Sequence, residues 1–152
     1  MLETPHVVVG AAIATKIPNP LIALPLALAS HFVLDMVPHW NPHLNLEKNK
    51  TGKIGAGTNF FIAADVALSL MLGFAIAVKA LPNTSHALII LLSAFVAVLP
   101  DLVEAPYYYL NSKSRSIQKW VEFQKTIQSD TSILLGLITQ FATVIAAFVW
   151  IG

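Results

Sequence analysis

Apolar residues run in four long stretches, 21–37, 60–78, 87–110 and 133–151, each near the ~20 residues that carry a helix across a ~30 Å hydrocarbon layer. A shorter apolar run at 6–15 is bounded by Pro5 and by Pro18 and Pro20. At ~1.5 Å per residue it covers about half of that layer, which predicts a half-helix or re-entrant segment. Between residues 112 and 128, Ile117, Trp120, Val121 and Ile127 recur near the helical period while the basic residues fall elsewhere. That spacing predicts an amphipathic helix lying in a membrane interface. The expected architecture is all-α: a polytopic membrane helical bundle of about four transmembrane helices, an N-terminal half-helix and an interfacial amphipathic helix, forming a single integral membrane domain over residues 1–152. The 133–151 stretch has no charge and reads as a plain lipid-facing anchor, whereas the other three carry acids or histidines.

Composition sharpens this reading. Of 152 residues 56% are apolar and 11% charged, against roughly 25% charged in an average soluble domain, and mean hydropathy is +0.70. This rules out disorder and argues strongly against an ordinary soluble fold. Nine Lys/Arg nearly cancel eight Asp/Glu, so the basic field that holds nucleic acid is missing and nucleic acid is not an expected partner. The absence of cysteine excludes disulfides, thiolate zinc sites and a cysteine nucleophile, so any metal must be held by His, Asp or Glu. The start lacks a basic segment and offers Glu3 instead, unlike a cleavable signal peptide. Lys48, Lys50 and Lys53 lie in the 40–59 connection, and Lys113, Arg115, Lys119 and Lys125 in the 111–129 connection. An even number of spans separates the two, so both are expected on the cytoplasmic face.

An ionisable side chain inside a hydrophobic span costs at least ~2.5 kcal/mol on insertion scales, which makes each one a functional candidate. His31, Asp35 and His39 are spaced i, i+4, i+8, so a helix would carry them on one stripe, with Pro38 able to swing His39 away. His and Asp one turn apart can close on one divalent cation; the alternative is a structural His–Asp bond between helices. Asp65 falls in the next span, where an interhelical hydrogen bond is its plain alternative. Asp101 and Glu104 follow in the third, where the alternative is an early end to the span with both acids solvated. Pro100 is expected to kink that span and free carbonyls beside Asp101. Counting at ~1.5 Å per residue from the cytoplasmic span ends puts His31 and Asp65 roughly 10–12 Å deep, Asp101 roughly 13 Å, Glu104 about 9 Å and Asp35 about 6 Å. His6, at the start of the half-helix, can join them. Buried carboxylates without a cation repel one another, so one or two divalent ions are the simplest source of the missing positive charge. A chain of protonated acids serving transport is the competing explanation. The glycine-rich 52–58 segment lacks phosphate-loop spacing and reads as a lid or linker. His43 is more readily a solvated loop residue than a ligand, His86 belongs to the opposite face, and Ser30 and Ser69 have no base beside them.

Thr4-Pro5-His6 followed by a small-residue helix with Gly10, the Ser30-His31-x-x-Leu34-Asp35-x-x-Pro38-His39 segment, and Leu99-Pro100-Asp101 together resemble the membrane-bound metal-dependent hydrolases, the group that includes the LexA-binding inner-membrane proteins. The likeness spans residues 4–108 and leaves the last helix unmatched. The His-x-x-x-Asp element also looks like a metal-ligating element of zinc-dependent phospholipase C enzymes. The resemblance implies a prokaryotic inner (cytoplasmic) membrane, multi-pass protein, with membrane lipids around it and a phosphoester or lipid-linked substrate at the cytoplasmic leaflet. His6, His31, Asp35, His39 and Asp101 are the expected ligands of a divalent metal, zinc first, with manganese or magnesium as alternatives. Asp65 and Glu104 are the expected catalytic acids, as general base or further ligand. The rival expectation is a small ion- or proton-coupled transporter using the same acids. A third, a scaffold held by polar helix contacts, makes poor use of so many acids at ~0.6 kcal/mol per bond.

Overall fold

The computed structural model describes residues 1–152 as seven helices and no strand. They are α1 (Glu3–Lys16), α2 (Pro20–Met36), α3 (Leu44–Thr51), α4 (Ala56–Val78), α5 (Thr84–Tyr109), α6 (Arg115–Ile127) and α7 (Ile133–Ile151). Three of them, α4, α5 and α7, are long and apolar enough to cross a membrane. At 17 residues, α2 is shorter, about 25 Å at the helical rise. Many large apolar side chains of these helices face outward, among them Leu70, Phe74, Phe95 and Phe141, as a bundle bathed in lipid requires.

The short N-terminal run is the centre of the bundle. α1 packs against α2, α4, α5 and α7, and Val8, Ala11, Ala12 and Ala14 are completely buried in the main apolar cluster, with Ile76, Ala77, Ile90 and Ala94 around them. Small residues make this enclosure possible, since without a hydrophobic drive between helices the close approach of backbones supplies the packing energy. Gly10 is the tightest point: a Cβ there would sit 2.6 Å from Ala97 Cβ and 2.7 Å from the Ser93 carbonyl oxygen.

Three other expectations gain detail. The 40–59 connection contains α3, and the glycine-rich segment punctuates helices: Gly52 closes α3 in the left-handed region at φ +76°, and Gly55 precedes α4. The last helix is more than an anchor. Gln140, buried at mid-height of α7, donates to the Trp40 carbonyl (2.8 Å) and accepts from the Leu2 N–H (2.8 Å). Beside it, a Cβ on Gly136 would overlap the Trp40 backbone and side chain. Finally, α5 continues as one helix through Pro100 and Pro106. The carbonyls nearby are taken by side chains of other helices, Ala97 O by His31 Nδ1 (2.8 Å) and Pro100 O by Trp120 Nε1 (3.0 Å). The second bond docks α6 onto α5, with Trp120 and Phe123 closing on Phe32 of α2.

Candidate metal centre

His31 and Asp35 stand one turn apart on α2, and both are fully buried. The stripe stops there. α2 ends at Met36 and Val37 turns extended at ψ 133°, because a residue before proline is pushed out of the helical region. His39 therefore leaves the helix and the stripe, the departure that Pro38 allowed. Its ring stays buried, with Nδ1 on the Val37 carbonyl oxygen (2.8 Å) and Nε2 unpartnered. Burial lowers its pKa from the ordinary imidazole value, which favours the neutral ring. Its backbone is pinned to the α6–α7 connection: His39 N–H donates to Ser129 O and Thr131 N–H donates to His39 O, both at 3.0 Å.

Around His31 and Asp35 the tertiary structure gathers two more groups. His6 of α1 is fully buried. Its ring stacks on that of His31, centroids 4.2 Å apart, and its Nε2 lies 3.3 Å from Asp35 Oδ1. On the other side His31 Nε2 lies 3.4 Å from Asp35 Oδ2 and 3.7 Å from Asp101 Oδ1 of α5. One ligand atom each from His6, His31 and Asp101 falls within 4.8 Å of the others. The tautomer of His31 is set from outside: Nδ1 donates to Ala97 O (2.8 Å), leaving the Nε2 lone pair aimed inward, the arrangement that backs metal-ligating histidines.

The chemistry of this donor set fits a cation. Both ring nitrogens of His6, Asp35 Oδ2 and Glu104 Oε1 are buried without a hydrogen-bond partner, and a buried polar atom in that condition costs roughly 1–3 kcal/mol. The Met1 amino group rests on Asp35 Oδ1, so this oxygen already takes a positive charge. Two neutral imidazoles and two carboxylates match the preference of zinc and similar ions.

Asp65 is brought close by a different role. Its carboxylate accepts from Glu3 N–H (2.7 Å), Thr4 N–H (3.4 Å) and the Thr4 hydroxyl (2.6 Å), capping the start of α1 and fixing His6 two residues on. Replacing Asp65 by alanine is expected to cost about 1–3 kcal/mol, since an end cap is lost and buried donors are orphaned. Asparagine should recover part of this. Thermal unfolding of the detergent-purified variants measures it, and a wild-type-like alanine variant would remove the cap from the account.

Three residues at the site were not singled out from sequence. Gln124 of α6 is buried, and its amide donates to His31 Nε2 (3.1 Å) and Asp101 Oδ1 (3.4 Å). The signal existed, because Gln124 sits i+3 and i+4 from Val121 and Trp120 and interrupts the apolar stripe of that helix. Glu3, with a buried unpartnered Oε2, faces the same region, and nothing in its local sequence marks it. Gln140 was hidden by the apolar length of α7. His43 is exposed at the rim, and His86 donates to Ala14 O at the far end of α1 (2.9 Å).

Asp101, Glu104 and Asp65 line a cleft of about 370 Å³ that opens at the end of the bundle carrying α3 and α6. Lys48 of α3 reaches the Tyr108 carbonyl (3.2 Å) and Asn111 Oδ1 (3.1 Å), so both basic connections lie at that same end. The opposite side of the site is closed by the main apolar cluster. Comparison with known proteins found no matching family model, no matching curated protein and no matching solved structure.

Proposed function

We propose that the protein is a metal-dependent hydrolase of a prokaryotic inner membrane, crossing it four times, with its site at the cytoplasmic leaflet and a phosphoester or lipid-linked substrate. The observation that carries the reading is the convergence of His6, His31, Asp35 and Asp101 from three helices, with unpartnered buried atoms among them. These four residues would hold the ion, with His39 held in reserve by its separate backbone anchor. A divalent cation bound there lowers the pKa of its water toward ~7 and polarises the scissile group.

The chain's own residues supply the rest. Glu104 lines the cleft with one oxygen free of partners, so it takes the proton of the attacking water as the new P–O bond forms and returns it to the leaving alcohol as the ester bond breaks. Asp65, engaged in capping α1, orients the helix that carries His6. Gln124 orients His31 and Asp101. Seven basic residues in the two connections at the open end favour the cytoplasmic orientation, and the basic face of α6 draws anionic headgroups. A carrier needs access from both faces, and the apolar cluster packed behind His6 speaks against that reading.

The test is release of inorganic phosphate from dioleoyl phosphatidic acid and from p-nitrophenyl phosphate by full-length protein in vesicles, metal-loaded against chelated. Metal-dependent release is expected, and Glu104→Gln should lower kcat by about 10²–10⁴-fold while metal content is kept. Absence of release from either ester, with cation flux across the same vesicles, would overturn the hydrolase reading in favour of a carrier.

A further inference from the structure

The cleft has two kinds of wall. Its inner end is acidic, with Asp101, Glu104 and Asp65, while its side is formed by Ile62 and Val66 of α4 and Leu102 and Ala105 of α5. Val66 is 38% exposed and Leu102 45% exposed, so side chains that line the cleft also belong to the outer surface of two membrane-crossing helices. Exposed apolar side chains of two helices long enough to cross a membrane thus flank the opening of the cleft between α4 and α5. This opening has definite limits. Toward the basic end, Tyr109 donates to Asn59 Oδ1 across α4 and α5 (3.1 Å). Deeper, both helices close over α1, where a Cβ on Gly73 would already touch Val7 at 3.0 Å. Asp65 lies six residues past Asn59, about 9 Å at the helical rise, within reach of a headgroup whose chains stay in the membrane. Lys125 of α6 is the one lysine or arginine that lines the cleft.

We infer that the gap between α4 and α5 is a lateral portal, and that the substrate is a phosphoester lipid which keeps its acyl chain against Ile62, Val66 and Leu102 while its phosphate reaches the acidic end. This deepens the hydrolase reading and rests on it for the cation that lets an anion approach these carboxylates. A freely soluble phosphoester shares the headgroup chemistry but makes no use of the apolar wall.

The probe is a phosphatidic acid with a diazirine in its acyl chain, in phosphatidylcholine vesicles holding the full-length metal-loaded protein. Cross-links are expected on residues 62–66 and 102–105, with competition by unlabelled phosphatidic acid and none by glycerol 3-phosphate. Val66→Trp, and independently Leu102→Trp, should cut both cross-linking and lipid hydrolysis about tenfold or more by filling the portal. The same variants should lose clearly less on p-nitrophenyl phosphate than on the lipid, and Met71→Trp, on the face of α4 turned away from the cleft, should spare both activities. Cross-linking spread evenly over the lipid-facing surface, or equal losses on lipid and soluble ester in the two portal variants, would overturn the portal. Portal cross-links in a wild-type protein that binds no cation would leave the portal standing and overturn the metal reading, so the two failures are distinct.

Discussion

Asp35→Ala should leave the purified protein without bound divalent metal, the wild type holding it near stoichiometrically, when both are compared by elemental analysis at matched monodispersity. Asp35 is the group that both imidazoles approach, at 3.3 and 3.4 Å, and it is fully buried, so water cannot replace it as a ligand. Outer partners of metal sites typically contribute 10–100-fold in affinity; loss of this central carboxylate should exceed the top of that range, at about a hundredfold or more. His31→Ala should behave alike. Asp35 also receives the buried Met1 amino group, so the alanine variant leaves that charge unpaired and loses stability; Asp35→Asn, which keeps an oxygen acceptor there, should fold and still lose the metal. Ligand binding supplies a second readout. Zinc at 100 times its Kd stabilises a one-site protein by about 2.7 kcal/mol, so the wild type should show a metal-dependent rise in Tm that the variant lacks. Binding should weaken as pH falls, since imidazole and carboxylate ligate only when unprotonated. A metal-free wild type that also ignores added zinc and manganese would defeat the whole reading of the site.

Gly10→Ala should be strongly destabilising, and Gly10→Leu should prevent recovery of a monodisperse protein. The new Cβ would meet Ala97 Cβ at 2.6 Å and the Ser93 carbonyl oxygen at 2.7 Å. The second is backbone in the middle of α5 and cannot move aside as a flexible side chain would. Overpacking of this sort costs about 1–3 kcal/mol, and the leucine adds three more carbons with no space for them. The damage reaches the site, since Ala97 also holds His31 through its carbonyl and α1 carries His6. Metal content should therefore fall together with Tm. Gly57, with nothing within 4 Å of its Cβ position, is the control, and Gly57→Ala should be neutral to slightly stabilising. Equal stability of the two alanine variants would show that α1 and α5 can separate without loss.

The contrast between these two sites tells what was legible. His31 and Asp35 stood out because a charged residue in an apolar stretch is costly and because i, i+4 spacing places both on one face of a helix. Asp101 and Glu104 stood out for the first reason. His39 leaves that face, as Pro38 allowed, because the helix ends at Met36. Gln124 and Gln140 escaped notice because an uncharged amide in an apolar stripe is cheap enough to pass for surface. Both prove to be buried connectors, one to the ligands and one to Trp40, the residue after His39, and to the start of the chain.

What the sequence by itself determined is the chain's class and its chemistry: helices, enough apolar length to cross a membrane, and a donor set without thiolates. These follow from composition and local periodicity, which act residue by residue. Only the tertiary structure decided that the short 6–15 run is the axis of the bundle, that Asp65 caps it, and that His6 stacks on His31 at 4.2 Å. Such contacts join residues far apart in the chain, and they depend on how closely two backbones can approach. At Gly10 that distance is set by the absence of one carbon, a condition visible in the sequence only as one more glycine.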